Sequence, residues 1–272
     1  MKLTLSIVVA CTLSITVAAQ WPAHVRPDVP RKADGTPDLE APAPRLPNGK
    51  PDFSGVWESR VPTAGRFGAP SLPSVGQSPP VAAFLDVERS FKEGLPLTPW
   101  ARELKQQRMA ANSKDNPDAH CLPIGFMQMH THSQPRRAIH TPHELVILYE
   151  PNYGQRSIFT DGRSLPDSEP QPWWDGYSVG RWEGDELVVR TIGFRGDGWL
   201  DVNGTPFTDQ LTLTERIRRV NYGRIEIDLT IDDPKAYTTP WTIRVNWRLA
   251  PAESLIEFIC NENEQSSEHF VE

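Results

Sequence analysis

Apolar and polar residues alternate with period two over much of the chain from residue 136 onward, which is the mark of half-buried strands. ELVILYE (144–150) and RSIFTD (156–161), joined through PNYG, predict a hairpin. YSVGRWE (177–183) and ELVVRTIGF (186–194) meet at Gly184-Asp185, a two-residue turn with glycine in its first position. LTLTERIRRV (211–220) and RIEIDLTID (224–232) meet across residues 221–223, and WTIRVNWRL (241–249) with LIEFICNE (255–262) predicts a last pair. With FSGVWES (53–59) these make nine strands in mostly sequential hairpins. The expected fold is mainly β, an antiparallel up-and-down barrel.

Strand parity then says which side chains face inward. Ile225, Ile227, Leu229 and Ile231 share one face, which must be the core. Register through the 221–223 loop pairs Val220 with Arg224, hence Ile217 with Ile227, Leu213 with Ile231 and Glu215 with Leu229. Glu215 is therefore a carboxylate on an apolar face, and such a group needs a partner, a wet cavity or a proton. It reads either as half of a buried Glu–Arg pair or as a general acid or base in a pocket. In the 177–194 hairpin, Trp182, Leu187, Gly180, Val189, Ser178 and Thr191 share a face of small and polar groups beside a tryptophan.

Helical pattern is confined to an insertion near 80–114. PVAAFLDVERSFKEG (80–94) predicts a short helix, and LTPWARELKQQRMAANSK (97–114) a longer one with Thr98 as N-cap and Pro99 in its first turn. Residues 20–52 are proline-rich and aperiodic, an extended arm ahead of a barrel domain at 53–272. The arm carries a short duplication, PRKADGTPDL (30–39) and PRLPNGKPDF (44–53), each copy with a turn and then Pro-Asp.

The first nineteen residues read as a secretory signal peptide, with Lys2, an apolar stretch and small residues before Gln20; VVAC ending at Cys11 also fits a lipoprotein box. Their removal leaves 27 basic against 35 acidic residues, a poor surface for nucleic acid. No later stretch is long and apolar enough for a membrane span. A periplasmic or secreted location is expected. There, Cys121 and Cys260 form a disulfide by default, the rival being a Cys121 thiolate ligand beside His120.

Candidate chemistry gathers in GFMQMHTHS (125–133). On an extended segment His130 and His132 point the same way and can ligate one metal, with His140 or His143 as a third ligand. Met127 and Met129 add soft sulfur, so copper or zinc is the implied cofactor. The alternative is that these groups are structural. Trp173, Trp174, Tyr177 and Trp182 are candidates to stack on a ring-shaped ligand, with Asp161 and Arg163 in the nearby DGR turn. Asp233-Pro234 reads as turn chemistry. No GxSxG, phosphate loop or dinucleotide fingerprint is present.

CLPIGFMQMHTHSQPR, IFTDGRSLP, WWDGYSVGRWEGDELVV, WLDVNG and TIDDPKAYTTPW together resemble a large family of secreted bacterial β-rich proteins. The resemblance covers the chain from NGKPDFSGVW onward and implies export and a β domain; it supplies no catalytic residue. Gly55-x-Trp57 is similar to the first-strand signature of lipocalins, which implies a ligand cavity. Three functions follow as expectations. The barrel binds a small, partly apolar or sugar-like molecule and transforms it through Glu215 with His130 or His132. It is a copper or zinc protein of the cell envelope. Or it is a non-catalytic module whose arm docks on an envelope partner.

Overall fold

The structure, a computed structural model, describes residues 24–59, 86–167 and 170–262. The signal-peptide reading and residues 80–85 of the first expected helix lie outside these residues. Nine strands close into one barrel in chain order: β1 (Gly55–Ser59), β2 (Arg136–His140), β3 (Glu144–Tyr149), β4 (Gln155–Phe159), β5 (Tyr177–Glu183), β6 (Glu186–Ile192), β7 (Thr212–Asn221), β8 (Arg224–Asp232) and β9 (Trp241–Leu249).

The barrel is antiparallel apart from β4 and β5, which run parallel. Geometry requires this. An odd ring of strands cannot return to its starting direction through antiparallel steps alone, so a nine-strand closure needs a parallel pair. The long connection from 160 to 176 lets the chain cross the barrel end and re-enter in the same direction. Tight turns such as Gly184-Asp185 and 222–223 admit only an antiparallel neighbour.

One expected strand is absent. Residues 255–262 form no strand, and β2 takes its place in the count. β9 already pairs with β8 on one edge and β1 on the other, so no vacant edge remains for the tail. β2 was obscured by its composition: RRAIH alternates, but its inward positions are Arg136, Ala138 and His140.

Register agrees with parity reasoning along the walls. Ser178 faces Thr191, Gly180 faces Val189 and Trp182 faces Leu187. Glu215 faces Leu229 and Ile217 faces Ile227. The pairing differs at one point: Asn221, rather than Val220, sits opposite Arg224, because a bulge between Arg219 and Asn221 absorbs one residue. The apolar interior is built by Leu187, Val189, Leu213, Ile217, Ile225, Ile227, Leu229, Ile231, Ile243 and Val245, all buried.

The two ends close differently. At one end lie the β5–β6 and β7–β8 turns, and the arm lies across them. There Arg219 sits over the Trp57 ring at 4.9 Å, and Trp57 donates from Nε1 to Phe53 O at 3.0 Å. The other end is covered by helices. α1 (Pro99–Ala110) starts on the Thr98 side chain, which accepts from Ala101 N at 3.3 Å as its sequence predicts. The same hydroxyl donates to Lys235 O, fixing α1 to the β8–β9 loop. The 80–94 pattern yields a single 3₁₀ turn, Val87–Ser90, within its described part. Cys121 and Cys260 are joined, with Cα atoms 5.6 Å apart, so the tail is held to the segment before α2 (Phe126–Thr131).

Candidate functional site

α2 carries the histidine cluster into the barrel. Gly125 caps it at φ +86°, and a Cβ there would lie 2.9 Å from the Trp199 carbonyl oxygen, so only glycine enters this turn without strain. All six residues of α2 are buried. Its last turn is held by Arg136, whose Nη1 donates to His130 O at 3.1 Å and whose Nη2 donates to Gln134 O at 3.0 Å. A cation at a helix C-terminus meets the negative end of the helix dipole. Trp247 Nε1 adds a bond to His130 O at 3.3 Å.

Helical geometry overturns one expectation. Residues two apart on a helix diverge, so His130 and His132 do not share a direction as they would on an extended segment. His130 points inward; His132, at the C-cap, accepts on Nδ1 from Gln134 N at 3.3 Å. Met127 and Met129 are packed in the core, Met129 against Gly154. His140 sits on β2 against Phe53 and Trp182. The structure thus does not gather these five side chains. Among the described residues, no group of three or more His, Cys, Asp or Glu is placed to hold a metal ion.

It does bring His130 to Glu215. His130 Nε2 lies 2.9 Å from Glu215 Oε1, and both side chains are inaccessible to solvent. Arg156 of β4 completes the group, donating from Nη1 to Glu215 Oε1 at 3.0 Å and from Nη2 to Glu215 Oε2. Its remaining donors meet Ser178 Oγ at 3.0 and 3.2 Å and Thr191 Oγ1 at 2.9 Å. The polar positions on the inner face of the β5–β6 hairpin are therefore the second tier of this cluster.

The charges follow from these contacts. Burial pushes the Glu215 carboxyl up, but Arg156 and the His130 bond outweigh it and bring it down to about 2, so it is a carboxylate. A carboxylate only accepts, so the His130 proton belongs on Nε2 and Nδ1 carries the lone pair. That Nδ1 is buried without a hydrogen-bond partner. Burial holds the His130 pKa below its ordinary value, with Arg156 and Arg136 adding to this against Glu215.

Asp175, just ahead of β5, faces the same charges. Its Oδ1 is shut off from water and unpaired, and burial pushes its carboxyl up to about 6 despite Arg156. Tyr149, buried on β3, is held neutral, chiefly by burial.

The aromatic candidates separate into two places. Trp173 stacks on Tyr177 with centroids 4.4 Å apart, and Trp174 lies under Arg195, all at the start of β5. Trp182 is at the far end of that strand, stacked on Phe53. One ring could not touch all four. Asp161 and Arg163 form an exposed pair within their own turn, with Arg163 over Phe159. Asp233 is buried, accepting from Thr208 and Ala236, as turn chemistry requires.

Sequence reasoning anticipated an arginine for Glu215 without locating it. Parity was sufficient: Arg156 and Ile158 fall on one face of β4. Asp175 left no such trace, because a loop residue has no parity. A cleft of about 770 Å³ lies outside the wall, between the arm and the tail. Arg26 and Arg219, which line it, are already bonded, to Asp28 and to main-chain carbonyls. In comparisons with known proteins, no protein-family model matches the chain and no curated protein matches it.

Proposed function

We propose that this protein is an exported β-barrel that binds a small, partly apolar or sugar-like molecule at the His130–Glu215–Arg156 cluster and handles a proton there. The observation that carries the reading is the buried, unpartnered Nδ1 of His130. Buried polar atoms are rarely left without a partner, and one whose tautomer is fixed by an ionised carboxylate is set up as a base. Asp175, with its own unpaired buried oxygen and a carboxyl at about 6, supplies a proton donor near the same arginine. Glu215 is then a positioning residue. It orients the imidazole and stabilises the imidazolium, and its low pKa argues against service as an acid.

The chemistry suits proton abstraction or protonation in an isomerisation, elimination or hydrolysis. Export and membership of the secreted β-rich family belong to the same proposal and rest on the sequence motifs. A thermal-shift screen of small carboxylates, sugars and aromatic acids tests it. A true ligand near a hundred times its Kd adds about 2.7 kcal/mol, roughly 5–10 °C in Tm for a chain of this size. The shift should vanish in His130→Asn. No shift from any compound, or an equal shift in the variant, would remove the cluster as the site.

A further inference from the structure

The duplicated sequence forms a duplicated structure. In the first copy Asp38 N donates to Pro30 O at 2.7 Å, Lys32 N to Thr36 O at 2.8 Å, and Arg31 Nη1 to Gly35 O at 2.8 Å. In the second, Asp52 N donates to Pro44 O at 2.9 Å, Leu46 N to Lys50 O at 2.8 Å, and Arg45 Nη1 to Gly49 O at 2.7 Å. Gly35 and Gly49 hold the same left-handed turn, at φ +82° and +80°. Each copy is thus a small self-bonded hairpin, and each caps one turn at the same barrel end.

They are attached by different means. The first is joined to the β7–β8 turn through main chain, with Tyr222 N donating to Ala41 O at 2.7 Å and Gly223 N to Leu39 O at 2.8 Å. The second is joined to the β5–β6 turn by side chains. Arg45 forks onto Asp185 at 2.9 and 2.6 Å, and Lys50 Nζ donates to Gly184 O at 3.0 Å. Arg45 and Asp185 are both more than half exposed. This copy ends on Phe53, buried across the barrel mouth between Trp182, stacked at 5.7 Å, and His140, at 5.2 Å. Ser54 and Gly55 follow, the latter at φ +148°.

We propose that residues 44–54 are a lid over this mouth, latched by Arg45 and Lys50 on the Gly184-Asp185 turn and anchored by the first copy. The lid swings between residues 42–43 and the Ser54–Gly55 junction and lifts Phe53 off Trp182 and His140. This releases the bonds that seat it, from Phe53 N to His140 Nδ1, from Trp57 Nε1 to Phe53 O and from Arg219 to Asp52 O. This rests on the reading of the interior as a site, since a cluster with no solvent contact needs a way in. The other end is the poorer route. α2, Phe194 and Phe207 pack it solidly, and the disulfide holds the segment leading into α2.

The test needs no ligand. Val189→Cys places a near-isosteric thiol on the inner wall, opposite Gly180. Its modification by methyl methanethiosulfonate, followed by mass spectrometry with the native disulfide oxidised, reads opening of the interior. Adding Arg45→Ala and Lys50→Ala should accelerate labelling about tenfold, the weight of a forked ion pair and one further charged bond at a surface. The guanidinium midpoint should fall by no more than the latch bonds themselves contribute to the closed state. The charge-exchanged pair Arg45→Asp with Asp185→Arg should restore slow labelling. Equal rates with and without the latch, or labelling that follows global unfolding, would overturn the lid. A lid that opens while no compound shifts Tm would leave the lid standing and remove the ligand site.

Discussion

His130 and Glu215, 85 residues apart in sequence, meet at 2.9 Å in the buried interior with no solvent contact. The pair exists because a helical turn inserts one residue into the barrel while β7 turns the other inward. Arg156 then makes it a charge-balanced trio. Its energetics can be separated from its chemistry by asking what remains when one member is removed.

Arg156→Met leaves Glu215 buried beside a neutral histidine, with its main counter-charge gone. The expected loss is about 3–5 kcal/mol in denaturant unfolding. Arg156→Met combined with Glu215→Met should recover much of that, since an apolar pair of similar volume is often no worse than a buried ion pair. A double variant no more stable than the single one would count against this account.

Acid should weaken the protein through His140. Its Nδ1 accepts from Phe53 N at 3.2 Å, and burial lowers its pKa to about 4 against Asp52. The unfolded chain, with an ordinary histidine near 6.5, binds the proton more readily across that interval. Stability is thus fully present above pH about 6.5, and about 3 kcal/mol is lost as pH falls toward 4. His130 and His132, also lowered, act in the same direction. Asp175, raised to about 6, gains stability over the same interval and opposes the histidines, so the His140 contribution is read by difference. Urea midpoints measured from pH 7.5 to 4 should fall more in the wild type than in His140→Gln. Parallel pH profiles in the two proteins would contradict it.

Removing the Cys121–Cys260 link with two serines should cost about 2–4 kcal/mol, because the bond closes a long loop of the unfolded chain. Calorimetry of the oxidised protein and the double variant measures this directly.

Gly125→Ala adds one methyl group against the Trp199 carbonyl at a positive φ. A loss of more than about 1 kcal/mol is expected, with α2 shifted and the His130–Glu215 bond disturbed. Trp173→Ala, on an exposed ring, should change stability by less than about 0.5 kcal/mol. Chemical denaturation of the two variants side by side gives the contrast.

Much of the architecture was legible because strands write their facing into the sequence with a period of two. That period identified both long hairpins, turned Glu215 inward and set it opposite Leu229. Local chemistry did the same for the Thr98 cap and for the matched turns of the arm. Periodicity says which way a side chain points but not how many strands share a ring. The parallel β4–β5 step and the loss of a strand at 255–262 were therefore decided by barrel closure, which leaves β9 no free edge. Packing also made the Met/His segment helical, against an extended reading. A six-residue turn is too short to be stable alone and forms because the barrel end buries all of it. That one choice parted His130 from His132 and delivered His130 to Glu215.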